Sequence, residues 1–463
     1  MTRDAAVYRS VLDEIGNTPM HEVTRLDTGK CRLLLKLENQ NPGGSIKDRI
    51  GRSMIEAAER SGALKPGGTL IEATAGNTGL GLALVAAQKG YRLVLVVPDK
   101  MAQEKIFHLR AMGAEVINTR SDVGKGHPEY YQDMAARLAA ENGWFYVNQF
   151  ENPANPAAHE ATTGPEILAQ CRQAGVVPDA IVCGVGSGGT VTGLSRYFAK
   201  HNPATTFVLA DPVGSILAHY VETGEVSTEL GSWLVEGIGE DFIPPIADLS
   251  RVSKAYSISD AESLRTARDL LRAEGILAGS STGTLLAAAL RYCREQTEPK
   301  VVITLVCDSG NKYLSKMYND FWMLDHGLLE LSQTGDLTDL IARKHAEQQT
   351  VTVSPQTPLT QAYRQMKLHE ISQLPVLEEG QLVGLLDEED LLSHVWRNRG
   401  AFTGHVRDAM TTGLVKVEAS DSLEQVLNIL ERGMVAPVMR EGVFQGLITK
   451  IDILNHLRLH ANR

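Results

Sequence analysis

A chain of 463 residues has room for roughly two to four domains, and 43% hydrophobic with 22% charged residues is ordinary for a globular protein. A net charge of −11 excludes a general nucleic-acid binder, which needs a basic face, and a polybasic membrane anchor. The polar start MTRDAAVYRS, the lack of a transmembrane-length apolar run and five scattered cysteines without a CxxC pair point to a cytoplasmic protein with no disulfide framework and no metal site.

From 31 to 310, short apolar runs alternate with longer amphipathic ones. Strands are predicted at Arg32–Leu37, Thr69–Glu72, Arg92–Val97, Glu115–Asn118, Trp144–Val147, Asp179–Cys183, Thr206–Ala210 and Val301–Val306. Helices predicted between them include Thr78–Lys89, Glu104–Met112, Gly164–Ala174, Thr190–His201 and Asp260–Glu274. This alternation predicts a mainly parallel sheet covered on both faces, with ligands beyond the carboxyl ends of its strands. Residues 325–349 are polar and mixed, as in a linker. An internal repeat follows: Pro375-Val376, Gly384-Leu385-Leu386 and Asp390 recur 62 residues later as Pro437-Val438, Gly446-Leu447-Ile448 and Asp452. Two copies of a unit this size predict a pseudo-symmetric pair sharing one core.

Three glycine-rich segments lie where such a sheet places ligands. Asn41-Pro42-Gly43-Gly44-Ser45-Ile46-Lys47 sets a lysine at the start of a helix that Ser45 is expected to cap, and the positive helix end lowers an amine pKa. Thr74-Ala75-Gly76-Asn77-Thr78-Gly79 joins a strand to a helix and offers N–H groups and hydroxyls to an anion such as a carboxylate. Gly184-Val185-Gly186-Ser187-Gly188-Gly189-Thr190 does the same with the backbone exposure that a phosphate requires. Each has a plain reading on its own: a solvated lysine beside a turn, a capped βα turn, or a GxGxxG dinucleotide loop with Asp211 as its ribose acid. The last would make the chain a nicotinamide-dependent oxidoreductase, but it gives the first two segments nothing to do.

Taken together and in this order, the segments resemble the fold type II pyridoxal phosphate (PLP) enzymes, the family of cysteine synthases and cystathionine β-synthases. The resemblance covers roughly 8–325 and includes Ile15-Gly16-Asn17-Thr18-Pro19, Glu72 through Gly79, Asn152-Pro153-Ala154-Asn155-Pro156 and Thr162-Thr163-Gly164-Pro165-Glu166-Ile167. It implies two parallel-type α/β subdomains, with PLP held by Lys47 as a Schiff base and the same lysine moving the substrate's Cα proton. It further implies that Asn77 meets the ring's 3′ oxygen and that Gly186, Ser187, Gly188, Gly189 and Thr190 bind the phosphate. Thr74, Ala75, Gly76, Thr78 and Gln149 would surround the substrate carboxylate, and Ser281 would face the pyridine nitrogen. Alone, Ser281 reads as a helix N-cap. A neutral hydroxyl at that nitrogen makes a weaker electron sink than a carboxylate, which suits loss of a β-substituent.

Two features favour the cystathionine β-synthase branch, which condenses serine with homocysteine, over O-acetylserine and sulfide chemistry. In Val235-Glu236-Gly237-Ile238-Gly239-Glu240-Asp241, acidic residues follow the Gly-Ile-Gly; Glu236, Glu240 or Asp241 is expected to meet the homocysteine amino group, with Asp241 the chosen candidate. The C-terminal repeat resembles paired CBS domains, giving an α+β module after the α/β catalytic part. There Gly446-Leu447-Ile448-Thr449-Lys450-Ile451-Asp452 matches a ribose-binding stretch through Thr449 and Asp452, while Asp387 replaces the hydroxyl in the first copy. That leaves S-adenosylmethionine, an adenine nucleotide and a purely structural role all open for the pair. The expected division is a PLP catalytic domain over 1–325, a linker over 326–345 and CBS domains over 346–400 and 401–463. Small amino acids are the expected partners, along with a second copy of the chain in a homodimer or larger homo-oligomer. Three departures stand out: Ala75 where many relatives have serine, Phe150 where animal synthases have tyrosine, and no N-terminal haem segment, so no haem is expected.

Overall fold

The structure, a computed structural model, describes residues 7–460 except 75, 100, 102, 125, 228–230, 330–333, 346–348 and 398–401. The chain forms two compact units, Met1–Trp322 and Met323–Arg463.

The first unit holds two largely parallel sheets. One has β3 (Thr69–Ala73) and β4 (Arg92–Pro98) at its centre, flanked by β5 (Glu115–Thr119) and β6 (Phe145–Tyr146), in the order β5-β4-β3-β6. The other runs β1-β2-β10-β7-β8-β9, from β1 (Met20–Glu22) and β2 (Arg32–Lys36) through β10 (Val301–Leu305), β7 (Ala180–Cys183) and β8 (Thr206–Pro212) to β9 (Val252–Ile258). Only β1 is antiparallel to its neighbour. The inner strands are continuous apolar runs buried on both faces, as expected when helices cover a parallel sheet. Each sheet carries its own apolar core, so the α/β unit is built as two subdomains. All eight predicted strands are present. The sequence reading missed the edge strands β1 and β9, where exposed Ser253 and Lys254 interrupt the apolar run.

Four loops that leave the carboxyl ends of β2, β3, β7 and β10 meet at one place. The β2 loop carries Lys47 as the first residue of α1 (Lys47–Ser61). The β3 loop opens α2 (Asn77–Lys89), and the β7 loop opens α7 (Gly189–His201). The helices α1 and α2 cross at two glycines: a Cβ on Gly51 would lie 2.6 Å from the Gly81 carbonyl carbon, and one on Gly81 would lie 2.5 Å from the Lys47 oxygen. That close approach fixes the backbone from which Lys47 projects. The remaining helices of this unit are α3 (Gln103–Ala111), α4 (Tyr131–Asn142), α5 (Ala154–Ala158), α6 (Gly164–Gln173), α8 (Leu217–Thr223), α9 (Asp260–Glu274) and α10 (Ser280–Arg294). A π-helical turn, His159–Thr163, sits between α5 and α6.

The second unit begins within α11 (Asp320–Asp325) and repeats one motif. A helix leads into a hairpin and a second helix: α12 (Leu359–His369), β11 (Gln373–Glu378), β12 (Gln381–Asp387) and α13 (Glu388–Arg397). After β13 (Val417–Glu418), the second copy has α14 (Leu423–Glu431), β14 (Ala436–Arg440), β15 (Val443–Ile448) and α15 (Lys450–His460). The copies agree in detail. Both hairpins shift register at equivalent points, Val376/Leu377 and Val438/Met439, and both turn on a positive-φ Glu-Gly pair, Glu379-Gly380 and Glu441-Gly442. The expectation of one shared core is corrected: each copy packs its own, and a small cluster of Leu382, Met439 and Phe444 joins them. Leu337 and Ile341, inside the expected linker, belong to the core of the second copy.

Candidate active site

The turn before Lys47 is held on all sides. Gly44 needs its positive φ of 75° and donates its N–H to Asn41 O at 2.8 Å. Ser309 N–H donates to Gly44 O and Ile46 N–H donates to Cys307 O, zipping the turn to the chain leaving β10. Ser45 is not the N-cap; Ile46 takes that position without a side-chain bond, and Ser45 Oγ accepts the Lys47 N–H at 3.2 Å. Among the described residues no group hydrogen-bonds Lys47 Nζ, and burial holds its pKa below the ordinary lysine value while Cys307 and Asp308 oppose the drop. An amine in that state is what a Schiff base requires.

The β3 loop brings together most of the expected carboxylate site. Thr78 Oγ donates to Gln149 Oε1 at 2.7 Å, Thr74 Oγ accepts the Gly76 N–H at 3.2 Å, and Gln149 Nε2 reaches Ala73 O. Gly76 has φ 131°, and a Cβ there would meet Lys105 at 2.7 Å. Ala75 lies outside the described residues. Behind the loop, burial pushes the Glu72 carboxyl up to about 8 against the N–H groups of Gln149 and Asn148.

The β7 loop is a cradle only glycine can form. A Cβ on Gly186, Gly188 or Gly189 would fall 2.7 Å from Gly237 O, 2.4 Å from Ala247 Cβ or 1.9 Å from Asn155 Oδ1. Among the described residues no hydrogen bond is donated by the backbone N–H of Ser187, Gly188, Gly189 or Thr190. These uncommitted donors at the start of a long helix suit a phosphate. Asn155 Nδ2 donates to Ser187 Oγ at 2.9 Å and to Gln149 O at 2.8 Å, tying this loop to the carboxylate site. Thr190 Oγ lies 3.3 Å from His159 Nε2, whose imidazole burial, then Lys47 and Arg49, hold down at about 3, leaving it neutral.

Ser281 is not a cap either: Gly279 is the N-cap of α10, and Ser281 lies buried in its first turn. Burial, then the Asp308 carboxylate, push the Cys307 thiol up to about 12, while Lys47 and a hydrogen bond from Ser281 oppose the rise. Of the acidic residues after β8, Glu236 is buried and spent on Lys105 (2.5 Å) and Lys316 (2.8 Å), so it is not open to a substrate ammonium. Asp241 is exposed and acts on Tyr130, whose phenol burial and then Asp241 push up to about 12. Phe150 stacks obliquely on Phe242 at 5.7 Å. Asp211 is buried and accepts the Ala218 N–H at 2.9 Å, so it works at the start of α8 and not as a ribose acid.

Residues 11–308 match the family described as pyridoxal-phosphate dependent enzymes, and 342–397 and 406–459 match the CBS domain. The chain is 36% identical to a cystathionine beta-synthase of Dictyostelium discoideum over 97% of this chain and 92% of that one. The chain belongs to the cystathionine β-synthase family of pyridoxal-phosphate dependent enzymes. Its structure is also similar to that of an O-acetylserine dependent cystathionine beta-synthase from Helicobacter pylori, with TM-score 0.61, 37% identity and coverage of 67% of this chain and 98% of that one. A hydrogen sulfide-producing enzyme from Fusobacterium nucleatum matches with TM-score 0.61 and 35% identity over 66% of this chain and 100% of that one.

The cofactor of the family is PLP, and the residues present fit it: a half-buried amine and a glycine cradle whose N–H groups are uncommitted among the described residues, and a neutral hydroxyl in a helix's first turn. The sequence reading named Glu72 only as part of a motif and a strand, and gave Asp48, His159, Asp308 and Lys312 no role. Of those four, Asp308 carried a signal, its place just past a predicted strand. In the second unit, Thr449 N–H and Oγ both donate to Asp452 Oδ2, at 2.7 and 2.5 Å, closing the first turn of α15. At the equivalent turn Asp387 and Asp390 exchange N–H bonds with each other's carboxylates. No helix among the described residues is long and apolar enough to cross a membrane.

Proposed function

We propose that the chain condenses L-serine with L-homocysteine to L-cystathionine and water, as a cytoplasmic enzyme acting as a homodimer or larger homo-oligomer. The observation that carries this reading is the half-buried Lys47 amine, free of hydrogen bonds among the described residues, at the meeting point of the four loops. Bound PLP supplies the electron sink that makes an amino acid's Cα–H acidic. Lys47 anchors it and, once released, takes the Cα proton; its depressed pKa keeps a share of the amine neutral. The N–H groups of Gly186, Ser187, Gly188, Gly189 and Thr190 hold the phosphate, and Asn77 donates to the ring oxygen. Ser281 meets the ring nitrogen with a neutral hydroxyl. Thr74, Gly76, Thr78 and Gln149 orient the substrate carboxylate. Serine's β-hydroxyl takes up the proton that Lys47 removed from Cα and leaves as water, the homocysteine sulfur bonds to the vacated carbon while Asp241 draws in its ammonium, and the thiol's proton passes through Lys47 to Cα. Cysteine in place of serine would release hydrogen sulfide.

The division proposed is the sequence-based one, catalytic domain 1–325, linker 326–345, CBS domains 346–400 and 401–463, with Leu337 and Ile341 of the linker packed into the core of the second copy. An adenosyl ligand would sit at Thr449 and Asp452, with S-adenosylmethionine or an adenine nucleotide as its two candidates. The Helicobacter pylori likeness favours a second reading, in which O-acetylserine is the first substrate. The test is to assay purified protein and Lys47→Ala: yellow protein that makes cystathionine, with colour and product both lost in the variant, supports the proposal. Retained colour in the variant counts against Lys47 as anchor.

A further inference from the structure

Asn77 is the proposed cofactor contact whose amide is already committed at both ends. Lys312 Nζ donates to Asn77 Oδ1 at 2.9 Å, and Asn77 Nδ2 donates to Asp308 Oδ2 at 2.7 Å. An ammonium only donates, so the amide oxygen must face Lys312, and the amide has one orientation available. One N–H of Asn77 is left uncommitted.

Lys312 is itself fully employed. Its other Nζ bonds go to Gly43 O at 3.1 Å and Gly44 O at 3.2 Å, so three hydrogens meet three oxygens in a buried site. Asp48 holds the same residue through the preceding peptide, with Oδ2 accepting the Gly43 N–H at 2.6 Å. Tyr313 OH donates to Asp308 Oδ2 at 2.7 Å and steadies the far end. One ammonium thus ties the turn that carries Lys47 to the helix start that carries Asn77.

We propose that Lys312 is a positioning residue that fixes the Asn77 amide so that its one free N–H serves the anionic ring oxygen of the cofactor. This rests on the reading that Asn77 meets that oxygen. Losing Lys312 leaves Asp308 as the one partner orienting the amide, which can then swing its free N–H away from the ring oxygen. The form of the cofactor with a charged ring oxygen, which absorbs in the visible, is disfavoured, and the near-ultraviolet form gains.

The test uses holoenzyme and reads two quantities, the ratio of visible to near-ultraviolet cofactor absorbance and the cofactor Kd by equilibrium dialysis. Lys312→Met is expected to lower the ratio and weaken retention by roughly tenfold, the loss of one charge-assisted hydrogen bond. Asn77→Ala should do the same, the double variant should be no worse than Asn77→Ala, and Lys312→Arg should restore most of the ratio. A wild-type spectrum in Lys312→Met beside an altered one in Asn77→Ala overturns the proposal, as does a double variant in which the effects add. An unaltered Asn77→Ala defeats the underlying reading instead. If Lys312→Met does not fold, Lys312→Gln is judged by the same ratio: a lowered value supports the proposal and an unchanged one overturns it.

Discussion

Arg49 grips Glu38 through two parallel hydrogen bonds, Nε to Oε2 at 2.7 Å and Nη2 to Oε1 at 2.8 Å, with both side chains out of water. The other edge of the guanidinium holds Glu166, which Lys36 also reaches at 2.7 Å, so two buried cations balance two carboxylates. The network joins β2, α1 and α6 beneath Lys47. Replacing Arg49 with Met strands Glu38, leaves Glu166 to Lys36 alone, and should destabilise the catalytic unit by about 3–5 kcal/mol, read by denaturant unfolding. A loss within the scatter of surface variants would show that the network is slack.

The same pair sets an acid limit. Against the cost of burial, Arg49, with help from Lys36 and Thr18, lowers the Glu38 pKa from 4.5 to about 2. The stability this gives is complete above about 4.5 and is lost as pH falls toward 2, because the unfolded chain takes the proton first. The melting temperature of Glu38→Gln should lie well below wild type at pH 7, and the gap should close as pH falls through that window.

Glu72 behaves in the opposite sense. Burial raises its pKa from 4.5 to about 8, so the folded chain keeps a proton that the unfolded chain gives up. Wild type therefore loses stability as pH rises from about 4.5 to 8, and Glu72→Gln, neutral throughout, does not. The variant should melt a few degrees above wild type at pH 8 and level with it near pH 4.5. An equal difference at both pH values would contradict a protonated Glu72.

Thr78 and Gln149 should appear in KM. Their bond at 2.7 Å orients the Gln149 amide, and Gln149→Ala removes a donor for the serine carboxylate. A rise in serine KM of roughly tenfold with a smaller change in kcat is expected, since the carboxylate is bound alike before and during reaction. A fall confined to kcat would place Gln149 elsewhere in the chemistry.

In the second unit, calorimetric titration with S-adenosylmethionine, AMP and ATP should give heat from an adenosyl ligand in wild type. The affinity should drop roughly tenfold in Asp452→Asn and hold in Asp390→Asn. Equal losses in both would deny the asymmetry between Thr449 and Asp387.

The glycine loops were legible in the sequence because their constraint is local: Gly188 and Gly76 must take φ of 86° and 131° wherever the chain goes. The strands were legible because burial on both faces demands unbroken apolar runs. The clamp on Asn77 was not, since Asp308 and Lys312 lie 231 and 235 positions away and only the meeting of strand ends brings them in. Ser45 was misread as a cap for a related reason. A serine before a helix is the ordinary cap, and here Ile46 takes that position while Ser45 Oγ accepts the Lys47 N–H.

The site is proposed to join serine to homocysteine. The most direct measurement compares kcat/KM for serine plus homocysteine with that for O-acetylserine plus sulfide, following cystathionine and cysteine by mass. The first pair is expected to be turned over more efficiently and to yield cystathionine. A clear preference for O-acetylserine plus sulfide, with cysteine as the product, would contradict it.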